Sequence, residues 1–380
     1  MLPKRVAQLV LLAACFAFPL ALSWRAESAQ SAGLWVRGQF EKRHVTHLAV
    51  GGEGDNMIRY AALAGQGVFR NTDDFFFWAI KNGGLPSGLL GRIDVRDLAT
   101  SRYDPRVVYL ALDNGNGGGG LYRTVNGGAA WQLLDWKLVG RAQAVVVSHS
   151  EDNVVYGIVE DRLFHSENDG EGWEVVGNLP FADPSARLVS ALLIDPSDSD
   201  HLFLGSDRAG LYASSDGGKE WREIATELRS LKVTVLMLAD AHTLYVGTER
   251  GLYLLTWSSE QWLIAPRRAA VGRSNRVRAL IQDPSEPALL YVGVDGGVYR
   301  SADAGLSWEL VGRGLGGAEV FALAFDPMIP GILYGGTADG VWRCSVPTFR
   351  AQASPTDGLF APTATNSPDL TFALTSTATQ

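Results

Sequence analysis

Cysteine is almost absent from this chain of 380 residues: Cys15 and Cys344 are the only two. That excludes a disulfide framework, so the fold has to be held by a packed core. Histidine is scarce as well, with six residues. His149, His165, His201 and His242 are scattered, and His44 and His47, three apart in an extended run, point to opposite faces, so no metal site is expected. The glycine-rich run Asp113 to Gly120 lacks a Glu ligand and a recognised Ca²⁺ spacing, and reads as a loop. The net charge is −8, which disfavours nucleic acid as a partner. The main apolar run, Val6 to Leu22, has 17 residues, the short edge for a spanning helix.

Glycine (43 residues) and tryptophan (11) are plentiful, and both follow a repeat. Its best copies are Gly120 to Trp131, Arg162 to Trp173, Gly210 to Trp221 and Gly297 to Trp308, each carrying Ser/Thr-x-Asp/Asn-x-Gly-x-x-Trp. Weaker copies are Gly67 to Trp78, Gly251 to Trp262 and a truncated Gly340 to Cys344. Successive copies start 53, 42, 48, 41, 46 and 43 residues apart, the length of a four-stranded propeller blade, so seven copies predict seven blades. Ahead of each copy stands a β-rich run with an aromatic, such as Thr243-Leu-Tyr-Val-Gly or Leu289-Leu-Tyr-Val-Gly, read as a second strand. Further upstream an apolar run often closes on Asp-Pro, as at Asp195, Asp283 and Asp326, and reads as an inner strand stopped by a turn.

The repeat itself reads as a hairpin, with the motif as its turn. The Asp or Asn accepts backbone hydrogen bonds from N–H groups two residues on, the Gly permits positive φ, and the Trp packs beneath the turn against a neighbouring blade. The structural positions are Thr124, Asn126, Gly128 and Trp131; Ser166, Asn168, Gly170 and Trp173; Ser214, Asp216, Gly218 and Trp221; Ser301, Asp303, Gly305 and Trp308. The last copy lacks the turn and fourth strand. Ser31 to Gly38 matches Ser301 to Gly312 with the turn shortened, so Trp35 to Gly38 is expected to close the ring as the outer strand of the seventh blade.

These repeats resemble those of the BNR/Asp-box superfamily of propellers, which includes sialidases, xyloglucan-degrading glycoside hydrolases, sortilin-type receptors and photosystem II assembly and stability factors. The resemblance covers residues 33–345 and implies an all-β, seven-bladed β-propeller of four-stranded blades, closed by an N-terminal strand. A single exported ring is most similar to the photosystem II factors. The resemblance does not imply catalysis. The sialidase-type Phe-Arg-Ile-Pro segment is missing, the xyloglucan enzymes cleave between two tandem rings, and nearly all tyrosines here, including Tyr109, Tyr156, Tyr245 and Tyr291, sit at equivalent repeat positions. The Cys-rich module that accompanies sortilin-type propellers is absent too.

Residues 1–32, with Lys4-Arg5 before the apolar run and small residues after it, read as a signal peptide or N-terminal anchor, with cleavage near residues 26–32 favoured by the run's length. Residues 346–380, rich in Pro, Ser and Thr, are expected to be disordered.

Assigning residues to faces yields a charge pattern. The loops joining fourth to first strands carry Arg267, Arg268, Arg273, Arg276 and Arg278, with no acid between Leu263 and Gln282, and Arg162, Arg208 and Arg250 join them from the loops between second and third strands. Such a face steers and holds an acidic partner. The expectation is a monomeric, exported, non-enzymatic propeller without cofactor or metal, binding a macromolecule, preferentially a protein, through this basic loop face. Carbohydrate binding or glycoside hydrolysis is the alternative, a sortilin-like receptor the third. Membrane association is expected only through the N-terminal segment.

Overall fold

A computed structural model describes residues 33–52, 57–72, 75–101, 103–115, 118–148, 153–181, 188–265, 271 and 275–346. The expected leader (1–32) and all but the first residue of the expected tail (346–380) lie outside them. Among the described residues, twenty-eight strands form seven four-stranded antiparallel sheets. Blades 1 to 6 each take four consecutive strands, beginning with Val45–Gly51, Val95–Thr100, Ala142–Val147, Val189–Asp195, Val233–Asp240 and Val277–Gln282 as innermost strands.

Burial falls from the second strand outward. Every residue of Ile58–Leu63, Val108–Leu112, Val155–Val159 and Leu290–Val294 is buried, because a neighbouring blade covers each face of the sheet. These strands therefore read as continuous apolar runs rather than alternating ones. The outermost strands Ala79–Ile80, Gln132–Leu133 and Glu309–Leu310 are exposed. The Gly that ends these second-strand runs has a packing reason: a Cβ on Gly205, Gly247 or Gly293 would lie 2.4, 2.9 or 2.8 Å from Cγ1 of Val233, Val277 or Val320, which opens the inner strand of the next blade. The Asp-Pro turns are Asx-type: Asp195, Asp283 and Asp326 accept from the N–H two residues on at 2.8, 2.9 and 2.9 Å.

The four good repeat turns share one hydrogen-bond pattern, which differs from the expected one. In blade 4 the Ser214 hydroxyl donates to Asp216 Oδ1 (2.7 Å) and accepts from the Gly218 N–H (2.9 Å), while Asp216 accepts from the N–H of Glu220, four residues on (2.9 Å). Thr124, Ser166 and Ser301 repeat it with Asn126, Asn168 and Asp303. The four glycines have φ of +80°, +80°, +89° and +86°, as expected. Each Trp packs into a cluster shared with the preceding blade: Trp131 with Tyr60 and Val68, Trp173 with Tyr109 and Leu121.

The seventh blade closes as expected. Trp35–Arg37 pairs with Gly340–Ser345, with Trp35 opposite Cys344 and Arg37 opposite Trp342. Cys344 thereby occupies the position of the motif Ser, and Trp35 that of its Trp. Trp35 Nε1 donates to the Val311 carbonyl of blade 6 at 2.7 Å, just as Trp131 Nε1 donates to Lys81 of blade 1. The two chain ends stand in place of the seventh turn, Gly33 N–H bonding Ser345 O at 2.9 Å. On the other side of blade 7, Arg59 of blade 1 reaches Asp326 (3.2 Å) and the Tyr334 hydroxyl (2.9 Å), and all three groups are buried.

Candidate binding face and channel mouth

The seven innermost strands surround a central cavity of about 320 Å³. Each carries a β-bulge at the same place, one residue after its first paired position. The extra residue is unmatched by the second strand and is re-aimed. The seven bulged residues are Thr46, Arg96, Gln143, Ser190, Thr234, Arg278 and Phe321, six of them polar, and all line the cavity. Two residues deeper, Leu48, Leu98, Leu192, Leu236, Leu280 and Leu323 narrow it with an apolar waist. One end is thus a polar mouth on the loop face, and the Asp-box turns lie at the other.

The mouth side chains link blade to blade. Asp97 of blade 2 accepts from the Val145 N–H of blade 3 (3.1 Å), Gln143 accepts from Val189 of blade 4 (2.9 Å), and Thr234 of blade 5 donates to the Val277 carbonyl of blade 6. The Arg278 guanidinium stands 4.5 Å from the centre of the Phe321 ring, which packs on His44 of blade 1 at 4.0 Å. Burial lowers the His47 imidazole below its ordinary value, against the Asp97 carboxylate facing it; burial likewise raises Asp97, against His47 and the N–H groups of Val145 and Leu98.

The expected basic residues are placed unevenly. Arg267, Arg268 and Arg273 lie outside the described residues. Arg162, Arg208, Arg250 and Arg276 are exposed on the loop face. Arg278 is not in a loop: it is the bulged residue of its strand, bound to Asp295 (2.7 Å) and 3.6 Å from Glu319. Among the described residues this face also carries acids, one following the second strand in each of blades 2 to 6: Asp113, Glu160, Asp207, Glu249 and Asp295. Arg96 and Arg141 pair with Asp113 (2.8 and 3.1 Å), and Lys232 with Asp207 (2.7 Å). Partial burial acts to raise the Asp113 carboxyl, but the Arg96 and Arg141 guanidinia outweigh it and hold it below the usual carboxylate range.

An apolar feature of the same face was missed. Leu89 and Leu90 on the loop from blade 1 to blade 2, and Trp136 and Val139 on the loop from blade 2 to blade 3, are exposed, Leu90 at 90% and Trp136 at 78%. The glycine-rich Asp113 loop lies between them: the Asn114 side chain donates to Pro86 O (2.6 Å), and Gly140 N–H donates to Gly119 O (3.2 Å). Leu90 has φ of +60°, an uncommon conformation for a branched side chain. The dipeptide Leu89-Leu90 between glycines, outside any strand run, was the signal in the sequence. Among the described residues no group of His, Cys, Asp and Glu is arranged to hold a metal ion.

No protein-family model and no curated protein matches this chain. Solved structures match its fold. The GH74 xyloglucanase from Xanthomonas campestris has a TM-score of 0.65 at 17% identity, over 81% of this chain and 53% of its own, so this chain spans about half the length of that enzyme. YCF48 from Cyanidioschyzon merolae has a TM-score of 0.59 at 15% identity, over 83% of this chain and 99% of its own. A structure of YCF48 bound to D1 peptide gives 0.58 at 14% identity, over 83% and 96%. The chain is a seven-bladed β-propeller, and the xyloglucanases and photosystem II assembly factors that its repeats resemble are both among its structural relatives.

Proposed function

We propose that this chain is a non-catalytic, exported propeller that holds a segment of a protein partner on its loop face beside the channel mouth. The observation that carries this reading is the exposed apolar cluster of Leu89, Leu90, Trp136 and Val139 flanking the Asp113 loop. Large apolar and aromatic side chains rimmed by charges are the composition of protein-binding surfaces. YCF48 supports the choice of ligand, since a ring of this fold has been seen bound to a peptide and matches this chain over nearly its whole length. The paired charges around the mouth supply orientation rather than a net basic field, and the exposed Arg162, Arg208, Arg250 and Arg276 extend the same face.

The test is affinity capture on the full chain from its native membranes, comparing wild type with Leu90→Ser/Trp136→Ser. Loss of the same partner from the double variant, with its melting curve unchanged, supports the reading; an unchanged partner set rejects it. Trp136 also favours a second reading, because an exposed indole is a stacking platform for a sugar ring. A glycan array and a panel of chromogenic glycosides separate the two: specific glycan binding without turnover indicates a lectin, and turnover indicates a hydrolase.

A further inference from the structure

The two faces of the ring differ, and so do the two halves of the Asp-box face. Over blades 3 and 4 the turns carry exposed charges, Glu167 and Glu171, then Lys219 and Glu220. Over blades 6, 7, 1 and 2 the turns of the same face expose large apolar side chains: Leu306, Met328 and Ile329, Phe76 and Phe77, and Tyr103. Phe76 and Phe77 stand where the good motifs have Ala129-Ala130, Glu171-Gly172 or Lys219-Glu220, and Phe76 meets the Phe75 ring edge-on with the Arg343 guanidinium 5.5 Å from its centre. Phe77 is 78% exposed.

Both chain ends leave the ring in this apolar half, Gly33 bonded to Ser345 in place of the seventh turn and Val346 N–H bonded to Gly331 O at 2.7 Å. Ten residues, 23–32, separate Gly33 from the apolar run Val6 to Leu22. Fully extended they reach about 36 Å at most. Entry of that run into a bilayer therefore holds this part of the Asp-box face near the lipid surface, while the loop face lies on the far side of the ring.

We propose that in the full chain the Asp-box face of blades 6, 7, 1 and 2 rests on a lipid bilayer, Phe76, Phe77 and Ile329 contacting the headgroup boundary, and that the channel mouth faces away from the membrane. This rests on the export reading and on residues 1–32 being kept as an uncleaved anchor, the alternative to cleavage near residues 26–32, and it is independent of what the loop face binds. Aromatic and aliphatic side chains settle at that boundary because it takes up apolar surface without full dehydration of the backbone.

The full chain, in a Cys15→Ser background where the one remaining cysteine, Cys344, is buried, is labelled with an environment-sensitive fluorophore at Ile329→Cys or at Trp136→Cys. It is then reconstituted into phosphatidylcholine vesicles. Brominated lipid is expected to quench the label at 329 at least twofold and to leave that at 136 unchanged. Adding Phe77→Ser, or Phe76→Ser with it, returns the label at 329 toward its aqueous emission, with an unaltered melting curve as the check on folding. Equal quenching at both positions, none at 329, or protection of 329 by a soluble protein without lipid overturns the proposal, the last in favour of protein docking.

Discussion

The Tyr109 hydroxyl of blade 2 donates to the main-chain carbonyl of Asp169, in the Asp-box turn of blade 3, at 2.7 Å. Tyr245 makes the same bond to Ala304 at 3.1 Å, from blade 5 to blade 6. In blades 2 and 5 the tyrosine of the second strand is thus the clamp on the next blade's turn, while Tyr60 donates to the Pro105 carbonyl and Tyr334 to Asp326, and burial pushes the Tyr109 phenol up to about 12, so it remains a donor at neutral pH. Tyr109→Phe is expected to cost about 1 kcal/mol, the net worth of one hydrogen bond. Tyr109→Ala, which also empties a buried ring site, should cost about 3–5 kcal/mol. Urea titrations of both variants check the ratio; equal costs would show that the hydroxyl, not the ring, carries the contact.

The closing strand makes a second prediction. Trp35 is 3% exposed, and its removal leaves a cavity between blades 6 and 7 together with an unpaired Val311 carbonyl. Trp35→Ala should destabilise by about 3–5 kcal/mol, and deletion of residues 33–40 should lower the melting temperature by many degrees. Calorimetry decides, and an unchanged curve for the deletion rules out closure by this strand.

Acid sensitivity follows from the Asp-boxes. The Ser307 hydroxyl and N–H and the Ser301 hydroxyl hold the Asp303 carboxyl down to about 2, below its ordinary 3.8. A group whose pKa is depressed by folding contributes stability that is present above pH 3.8 and is lost as the pH falls through about 2. Asp303→Asn should keep the turn, since Asn126 and Asn168 already accept the corresponding bonds, and should flatten this part of the acid limb. Denaturant midpoints measured from pH 5 to pH 2 test it; an identical acid limb in the variant contradicts it.

Leu90 pays a conformational cost in the open. Its φ of +60° suits glycine, and it is 90% exposed, so little packing offsets the strain. Leu90→Gly should leave the melting temperature equal or raise it, by up to about 1 kcal/mol of stability, while partner capture weakens. A lowered melting temperature would show that Leu90 packs where it is taken to be exposed.

Legibility tracked chemical repetition. The seven blades, the Gly of each turn and the closing role of Trp35 could be read because each rests on a residue type that local geometry demands at a constant spacing. The bulged ring could not, since Thr46, Arg96, Gln143, Ser190, Thr234, Arg278 and Phe321 share no residue type at a constant spacing; what marks them is a register mismatch between two strands. The acids set among the basic residues of the loop face escaped notice for a related reason. Loop arginines were counted on their own, whereas Asp113, Asp207 and Asp295 arrive at the same height from other segments and pair with their basic neighbours.

By itself the sequence determined the number of blades, the limits of each hairpin and the sharing of the last blade between the two ends. Those follow from short-range turn chemistry and from apolar runs that pack only as stacked sheets. Tertiary structure alone decided which charges meet, that Leu90 and Trp136 are both exposed on the loop face with the Asp113 loop between their segments, and that both ends leave through the apolar half of one face. Each of these is a distance between residues far apart in the chain, set by how seven twisted sheets close into a ring.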